Sequence, residues 1–143
     1  MPSDLVLKSM NMIHRGVLAL SFGKLGWDAG GMPVLELTTT GRRSGDPRSV
    51  MLTSPLQQGD TLVVVASRGG DDVHPAWYLN LTANPAVQVK WKGAATRVYT
   101  ARTATAEERG AMWDAIVAKY KNYGAYQDKT ERKIPLVLLT PAD

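Results

Sequence analysis

Thr38-Thr39-Thr40-Gly41-Arg42-Arg43-Ser44-Gly45-Asp46-Pro47-Arg48 is the stretch on which the fold turns. A β-branched run enters it, and residues 48–56 leave it with strand character. Between them, residues 41–47 hold two glycines, a proline, an Asx residue and two arginines. Gly41 and Gly45 permit positive φ, while Pro47 fixes its own φ and pushes Asp46 towards an extended conformation. This composition turns a hairpin and can point backbone N–H groups and guanidinium forks the same way. Arg42, Arg43 and Arg48, set against one Asp, suit a polyanionic ligand. A solvated hairpin loop accounts for the same residues.

Working outward, residues 34–40 and 48–56 form two strands around this loop. Gln58-Gly59-Asp60 makes a turn, and residues 61–67 form a third strand with three consecutive valines, so three neighbouring antiparallel strands are expected. Arg68-Gly69-Gly70-Asp71-Asp72 breaks the third strand. Pro75 sits where a helix begins, because its missing N–H costs nothing there. A short helix over residues 76–83 stops at Asn84-Pro85. Residues 87–91 and 96–101 form a second hairpin around Lys92-Gly93. Thr105 and Glu108 make a capping box for a helix whose apolar stripe is Met112, Trp113, Ile116, Val117 and Tyr120, with Gly124 as its terminator. Residues 134–139 are the last strand, opened by Pro135.

Upstream, Leu5, Val6, Met10, Ile13, Val17, Leu18 and Leu20 recur at helical spacing behind Ser3 as cap. Residues 1–30 are therefore read as an N-terminal helix and loop. The helix packs on the domain, or lays its methionines and cations on a membrane surface. The expected class is α+β: a six-stranded, mostly antiparallel barrel or roll with this helix and two more. No linker or repeat divides residues 1–143, which read as one domain.

The 143 residues suffice for a core without staples. The absence of cysteine excludes a disulfide framework, a thiol nucleophile and thiolate metal sites. Two histidines, His14 and His74, make a metal site an unsupported expectation. A balance of 17 basic to 13 acidic residues, net +4, suits an anionic partner without demanding nucleic acid. No apolar run is long enough to span a bilayer, and no cleavage site follows residues 17–20, so a cytoplasmic location, with membrane association through the first helix as the variant, is expected.

A second anion-binding element is Val65-Ala66-Ser67-Arg68-Gly69-Gly70 ahead of His74-Pro75-Ala76-Trp77-Tyr78-Leu79-Asn80. Here a strand runs through a glycine pair into a helix N-terminus. His74 reads as a cap or backbone partner that could also hydrogen-bond a bound ring. Tyr120, Tyr123 and Tyr126 offer phenols and apolar rings for a flat substrate, or simply interfacial packing. Neither a nucleophile elbow nor a dinucleotide or phosphate loop motif occurs. Lys90-Trp91-Lys92 is a single basic–aromatic triplet, slight ground for nucleic-acid binding.

Residues 37–45, Pro47-Arg48, 66–70 and 74–85, in that order, resemble the deazaflavin-dependent nitroreductase family, with the likeness running from about Val34 to Leu139. The resemblance implies a split β-barrel akin to small FMN-binding oxidases, with coenzyme F420 as cofactor and FMN as the alternative. It implies hydride transfer from reduced deazaflavin to an organic acceptor: a quinone, a nitroaromatic, or the activated C=C of a coumarin-type lactone. By position, Arg42, Arg43, Ser44 and Arg48 would hold the phosphate and oligoglutamate tail. Ala66, Ser67, Arg68, Gly69 and Gly70 would line the deazaflavin, supported by Trp77 and Asn80. Thr53, Tyr120, Tyr123 and Tyr126 would face the acceptor, with Ser67 and Tyr123 as catalytic candidates and solvent or the Tyr123 phenol giving the proton. Thr53 stands where some members carry tyrosine, and Arg43 where lysine is common. A non-catalytic carrier of deazaflavin, flavin or haem is the rival. Oligomeric state, monomer or dimer, stays open.

Overall fold

The computed structural model describes residues 32–142, together with the backbone of Asp28–Ala29. The expected N-terminal helix lies outside the described residues. Among the described residues are eight strands: β1 Asp28–Ala29, β2 Met32–Thr40, β3 Pro47–Thr53, β4 Leu56–Gln58, β5 Thr61–Val65, β6 Ala86–Trp91, β7 Arg97–Thr103 and β8 Leu136–Pro141. Three helices accompany them: α1 Ala76–Ala83, α2 Ala106–Lys119 and α3 Lys121–Asp128.

All pairings are antiparallel, and the sheet runs β1-β2-β6-β7-β8-β5-β4 with β3 also on β2. The expected count of six strands is corrected to eight among the described residues. One addition is the two-residue β1. The other arises because the strand expected over residues 48–56 is broken at Ser54-Pro55. Pro55 has no N–H to give a ladder, and Ser54 replaces the missing bonds. Its amide donates to the Pro33 carbonyl at 2.9 Å, and its Oγ donates to the carbonyls of Val63 at 2.7 Å and Leu56 at 3.0 Å. The chain thereby leaves β2 and joins β5, so one bent segment serves both ends of the strand path and the sheet curls on itself. β5 accordingly pairs with β4 and β8, not with β3 as three neighbouring strands would require.

Alternation sorts the core into two layers. Leu35, Leu37, Leu62, Val64, Val87, Val89, Tyr99, Ala101, Val137 and Leu139 fill the inside of the curl, where Trp77 and Leu81 of α1 join them. Val63, Val65, Leu136 and Leu138 face the other way, under Met112 and Ile116 of α2 and Tyr123 of α3. β5 is buried on both faces, which is why its valines are consecutive. Each such fully buried side chain contributes about 1.5–3 kcal/mol.

The capping box forms as expected: Thr105 Oγ1 accepts from the Glu108 amide at 3.2 Å, and Glu108 Oε1 accepts from the Thr105 amide at 2.9 Å. Gly124 does not end the helix. α2 stops at Lys119, Tyr120 caps both helices, and Gly124 lies inside α3. A Cβ there would come within 3.1 Å of Val117, so close helix approach explains the glycine. The second hairpin turns at Lys92 and Gly93, with φ of 51° and 82°. Trp91 packs on the inner core.

Candidate functional site

The loop between β2 and β3 closes through Gly41 N–H to the Asp46 carbonyl and Gly45 N–H to the Gly41 carbonyl, each at 2.8 Å. Gly45 takes φ of 76°, the left-handed region that glycine tolerates. Ser44 Oγ accepts from the Asp46 amide at 3.1 Å and from Arg48 Nη2 at 3.5 Å, which spaces the loop's exposed cations. Arg42, Arg43 and Arg48 are all exposed.

Asn80 ties this loop to α1. It is 4% exposed, its Oδ1 accepts from the Arg42 amide at 3.1 Å and from Arg42 Nη1 at 3.2 Å, and its Nδ2 donates to Thr39 Oγ1 at 3.2 Å. Thus Asn80 stands behind the cation loop and sets where Arg42 sits.

After β5 the chain enters a 3-10 turn, Arg68–Gly70. Ser67 is right-handed (φ −78°, ψ −37°), and Arg68, Gly69 and Gly70 follow with φ of 48°, 65° and 84°. A right-handed residue followed by a left-handed one turns successive amides towards a common point, an anion-binding concavity. Arg68 accepts a conformation costing about 1–2 kcal/mol for a side-chain-bearing residue. Its Nη1 is held by Asp71 Oδ2 at 2.7 Å. Gly70 has a different reason to be glycine: a Cβ would lie 2.6 Å from the Tyr126 carbonyl oxygen of α3.

Arg132, absent from the sequence-based candidates, fastens this turn. Its Nε donates to the Asp71 carbonyl at 3.1 Å, Nη2 to the Ser67 carbonyl at 2.8 Å, and Nη1 to the Ala66 carbonyl at 3.1 Å and to His74 Nδ1 at 2.9 Å. In the sequence it sits between Lys129 and Lys133 and looks like part of a solvated charged run. Only long-range contact reveals it.

The two turns share one groove of about 560 Å³. Arg42 lines it from the first, Ser67, Arg68 and Gly69 from the second, His74 and Trp77 from the start of α1, and Val50 and Leu52 from β3. That volume falls in the range of small-molecule sites, and the mainly apolar wall with a few convergent donors is their usual composition. A flat ring with an anionic arm matches it chemically: apolar faces for the ring, cations and amides for the arm. Of the other expected cofactor residues, Arg43, Ser44 and Arg48 sit on the adjoining exposed loop, whereas Ala66 is fully buried in the inner core and Gly70 is buried against α3.

The tyrosines do not line this groove. Met51 and Thr53 alternate with Val50 and Leu52, so they face the opposite side of β3. There Thr53 Oγ1 and Tyr123 Oη are 3.0 Å apart, and the Tyr123 hydroxyl also reaches Met32 Sδ at 3.5 Å. Tyr126 stacks edge-on with Tyr123 at 5.9 Å, and Tyr120 packs on the same outer core. Burial pushes the Tyr123 phenol above its ordinary pKa, with the Thr53 hydrogen bond opposing, so it stays protonated at neutral pH. Val65 belongs to this cluster and also lines the groove, linking the two regions.

Among the described residues, no cluster of three or more His, Cys, Asp or Glu is placed to hold a metal, and no helix is long and apolar enough to cross a membrane.

Comparison with known proteins agrees with the geometry. The model of the F420H(2)-dependent quinone reductase family matches residues 13–141, reaching upstream of the stretch from Val34 to Leu139 that carries the resemblance. An F420H(2)-dependent quinone reductase of Mycobacterium tuberculosis (strain ATCC 25618 / H37Rv) is 35% identical over 139 residues, covering 94% of this chain and 89% of the relative. A solved F420-H2-dependent reductase, FDR-A, superposes with a TM-score of 0.64 at 40% identity, covering 75% of this chain and 93% of the other. A solved domain-swapped dimer superposes with a TM-score of 0.67 at 37% identity, covering 90% and 96%. A haem-binding protein from Mycobacterium smegmatis, 19% identical with a TM-score of 0.56, shares the fold.

Proposed function

The chain belongs to the F420H(2)-dependent quinone reductase family, and from that premise we propose that it reduces a quinone with F420H2, on a split β-barrel. The observation that carries this reading is the shared groove: cations and amides from two turns distant in sequence converge where an apolar wall begins.

Reduced deazaflavin supplies a hydride, and the acceptor becomes the hydroquinone on taking that hydride and one proton. Arg42, Arg43 and Arg48, spaced by Ser44, bind the phosphate and carboxylate tail over the exposed loop. Asn80 holds Arg42 to that task. Ser67, Arg68 and Gly69 present amides and one positive charge to the ring end, while Trp77, Val50 and Leu52 exclude water from its faces. Holding donor and acceptor in register is the main source of rate enhancement, because hydride transfer needs no strongly perturbed acid or base. Solvent supplies the proton, because the Tyr123 phenol, protonated and fixed by Thr53, lies on the opposite side of β3 from the groove. Acceptors of the nitroaromatic or activated-alkene type fit the same chemistry and belong in the same assay.

The test combines purified protein, F420H2 and a panel of quinones, nitroaromatics and enones. Quinone-dependent oxidation of the cofactor is expected. Arg42→Glu with Arg48→Glu raises the cofactor Kd by at least tenfold and leaves the order of acceptor preference unchanged. Tight cofactor binding with no turnover on any acceptor would instead make the protein a carrier. No binding at all refutes both.

A further inference from the structure

We propose that His74 is a neutral hydrogen-bond donor that recognises a carbonyl oxygen of the flat ring bound in the groove through its Nε2–H. The ring's identity rests on the function proposed above; the state of the imidazole does not.

A guanidinium has only N–H groups and can only donate. Arg132 Nη1 lies 2.9 Å from His74 Nδ1, so Nδ1 must be the unprotonated, accepting nitrogen. The proton of neutral His74 is therefore on Nε2. Three further hydrogen bonds from Arg132 to the carbonyls of Ala66, Ser67 and Asp71 fix the guanidinium, so it cannot swing away to release the imidazole. Tyr78 holds the other aspect of the ring at a centroid distance of 4.8 Å and a tilt of 52°. Burial, then the Arg132 charge, lower the His74 pKa from its ordinary value, in keeping with a neutral imidazole.

Among the described residues Nε2 has no partner, and His74 lines the groove between Val73 and Pro75, close to Trp77. A single uncharged donor is poorly suited to the anionic arm, for which the same groove offers the cations of Arg42 and Arg68. It suits a heteroaromatic carbonyl that would lose its hydration on entering, and whose burial is costly without a donor.

Two measurements test this. In the protein labelled with 15N-histidine and free of ligand, two-bond proton–nitrogen correlations should show His74 with Nδ1 unprotonated and Nε2 protonated at neutral pH. A Nδ1–H tautomer or a protonated ring overturns the proposal. In titrations with oxidised F420, His74→Ala should weaken binding by about tenfold and move the absorption band of the bound cofactor. His74→Gln, whose amide nitrogen reaches the place of Nε2, should restore most of both. His74→Met serves as the deletion variant if the alanine protein does not fold. If the wild type binds and the deletion variants bind equally well with an unmoved band, the role of His74 is refuted and the reductase reading stands. If the wild type does not bind, the reductase reading fails and ring recognition falls with it, while the tautomer remains decided on the free protein.

Discussion

Replacing Asn80 with alanine separates what holds the cation loop from what the loop binds. Three hydrogen bonds disappear: the two that Asn80 Oδ1 accepts from the amide and Nη1 of Arg42, and the one that Nδ2 donates to Thr39 Oγ1. The two to uncharged groups contribute about 1 kcal/mol each. The guanidinium bond adds less than its buried value because Arg42 is exposed and water screens it. A loss of about 2–3 kcal/mol follows, since Thr39 and Asn80 are buried and only the Arg42 groups can rehydrate easily. With an unfolding entropy of about 2.1 cal/mol/K per residue over 143 residues, that loss lowers Tm by about 7–10 °C. Cofactor affinity should fall as well, because Arg42 is no longer set before binding. Asn80→Asp makes the contrast. Its carboxylate still accepts from Arg42, so Tm should fall less than in the alanine variant, whereas the added negative charge beside Arg42 should cut affinity more. Scanning calorimetry and cofactor fluorescence titration give the two readings. An alanine variant melting within 2 °C of wild type would refute the assignment of Asn80 as the anchor.

Gly70→Ala should cost about 2–3 kcal/mol or fail to fold, because φ is +84° and the new Cβ meets the Tyr126 carbonyl oxygen at 2.6 Å, whereas Gly45→Ala, at φ of +76° with nothing within 4 Å, should cost only about 1 kcal/mol; chemical denaturation of both variants makes the comparison. The Glu108 carboxyl, bonded by Arg102 and by the Thr105 amide, is lowered from 4.5 to about 2. Its folded value lies below its unfolded value, so what it contributes to stability is present above about pH 4.5 and lost as pH falls towards 2. Carboxyl-detected NMR should place its midpoint near the lower value, and Glu108→Gln should flatten stability across that window.

Local chemistry made some of this readable in the chain. The capping box of Thr105 and Glu108, the glycine loop at 41–45 and the helix behind Pro75 depend on neighbours in sequence, and they form where expected. The groove depends on partners far apart, yet both its turns carry their own signal in glycines and arginines. What stayed hidden depends on contacts without a local signature. Arg132 sits in a charged run that reads as solvated, although it binds three carbonyls and an imidazole from residues 66–74. Ser54-Pro55 interrupts a run of otherwise strand-like residues, and only the positions of Pro33 and Val63 turn that interruption into a change of partner. Gly124 resembles a stop signal, but the constraint is the side of Val117. Tyr123, expected at the acceptor, is hydrogen-bonded to Thr53 and so lies on the far side of β3 from the groove.

The bend at Ser54-Pro55 means that a single length of chain is stitched to one neighbour before the kink and to another after it. Where the stitching changes sides, β3 and β5 share no ladder, and Val50 and Leu52 from the one and Val65 from the other wall the groove between them. Enlarging or shrinking residues around it should therefore alter what fits inside long before it alters whether there is an opening.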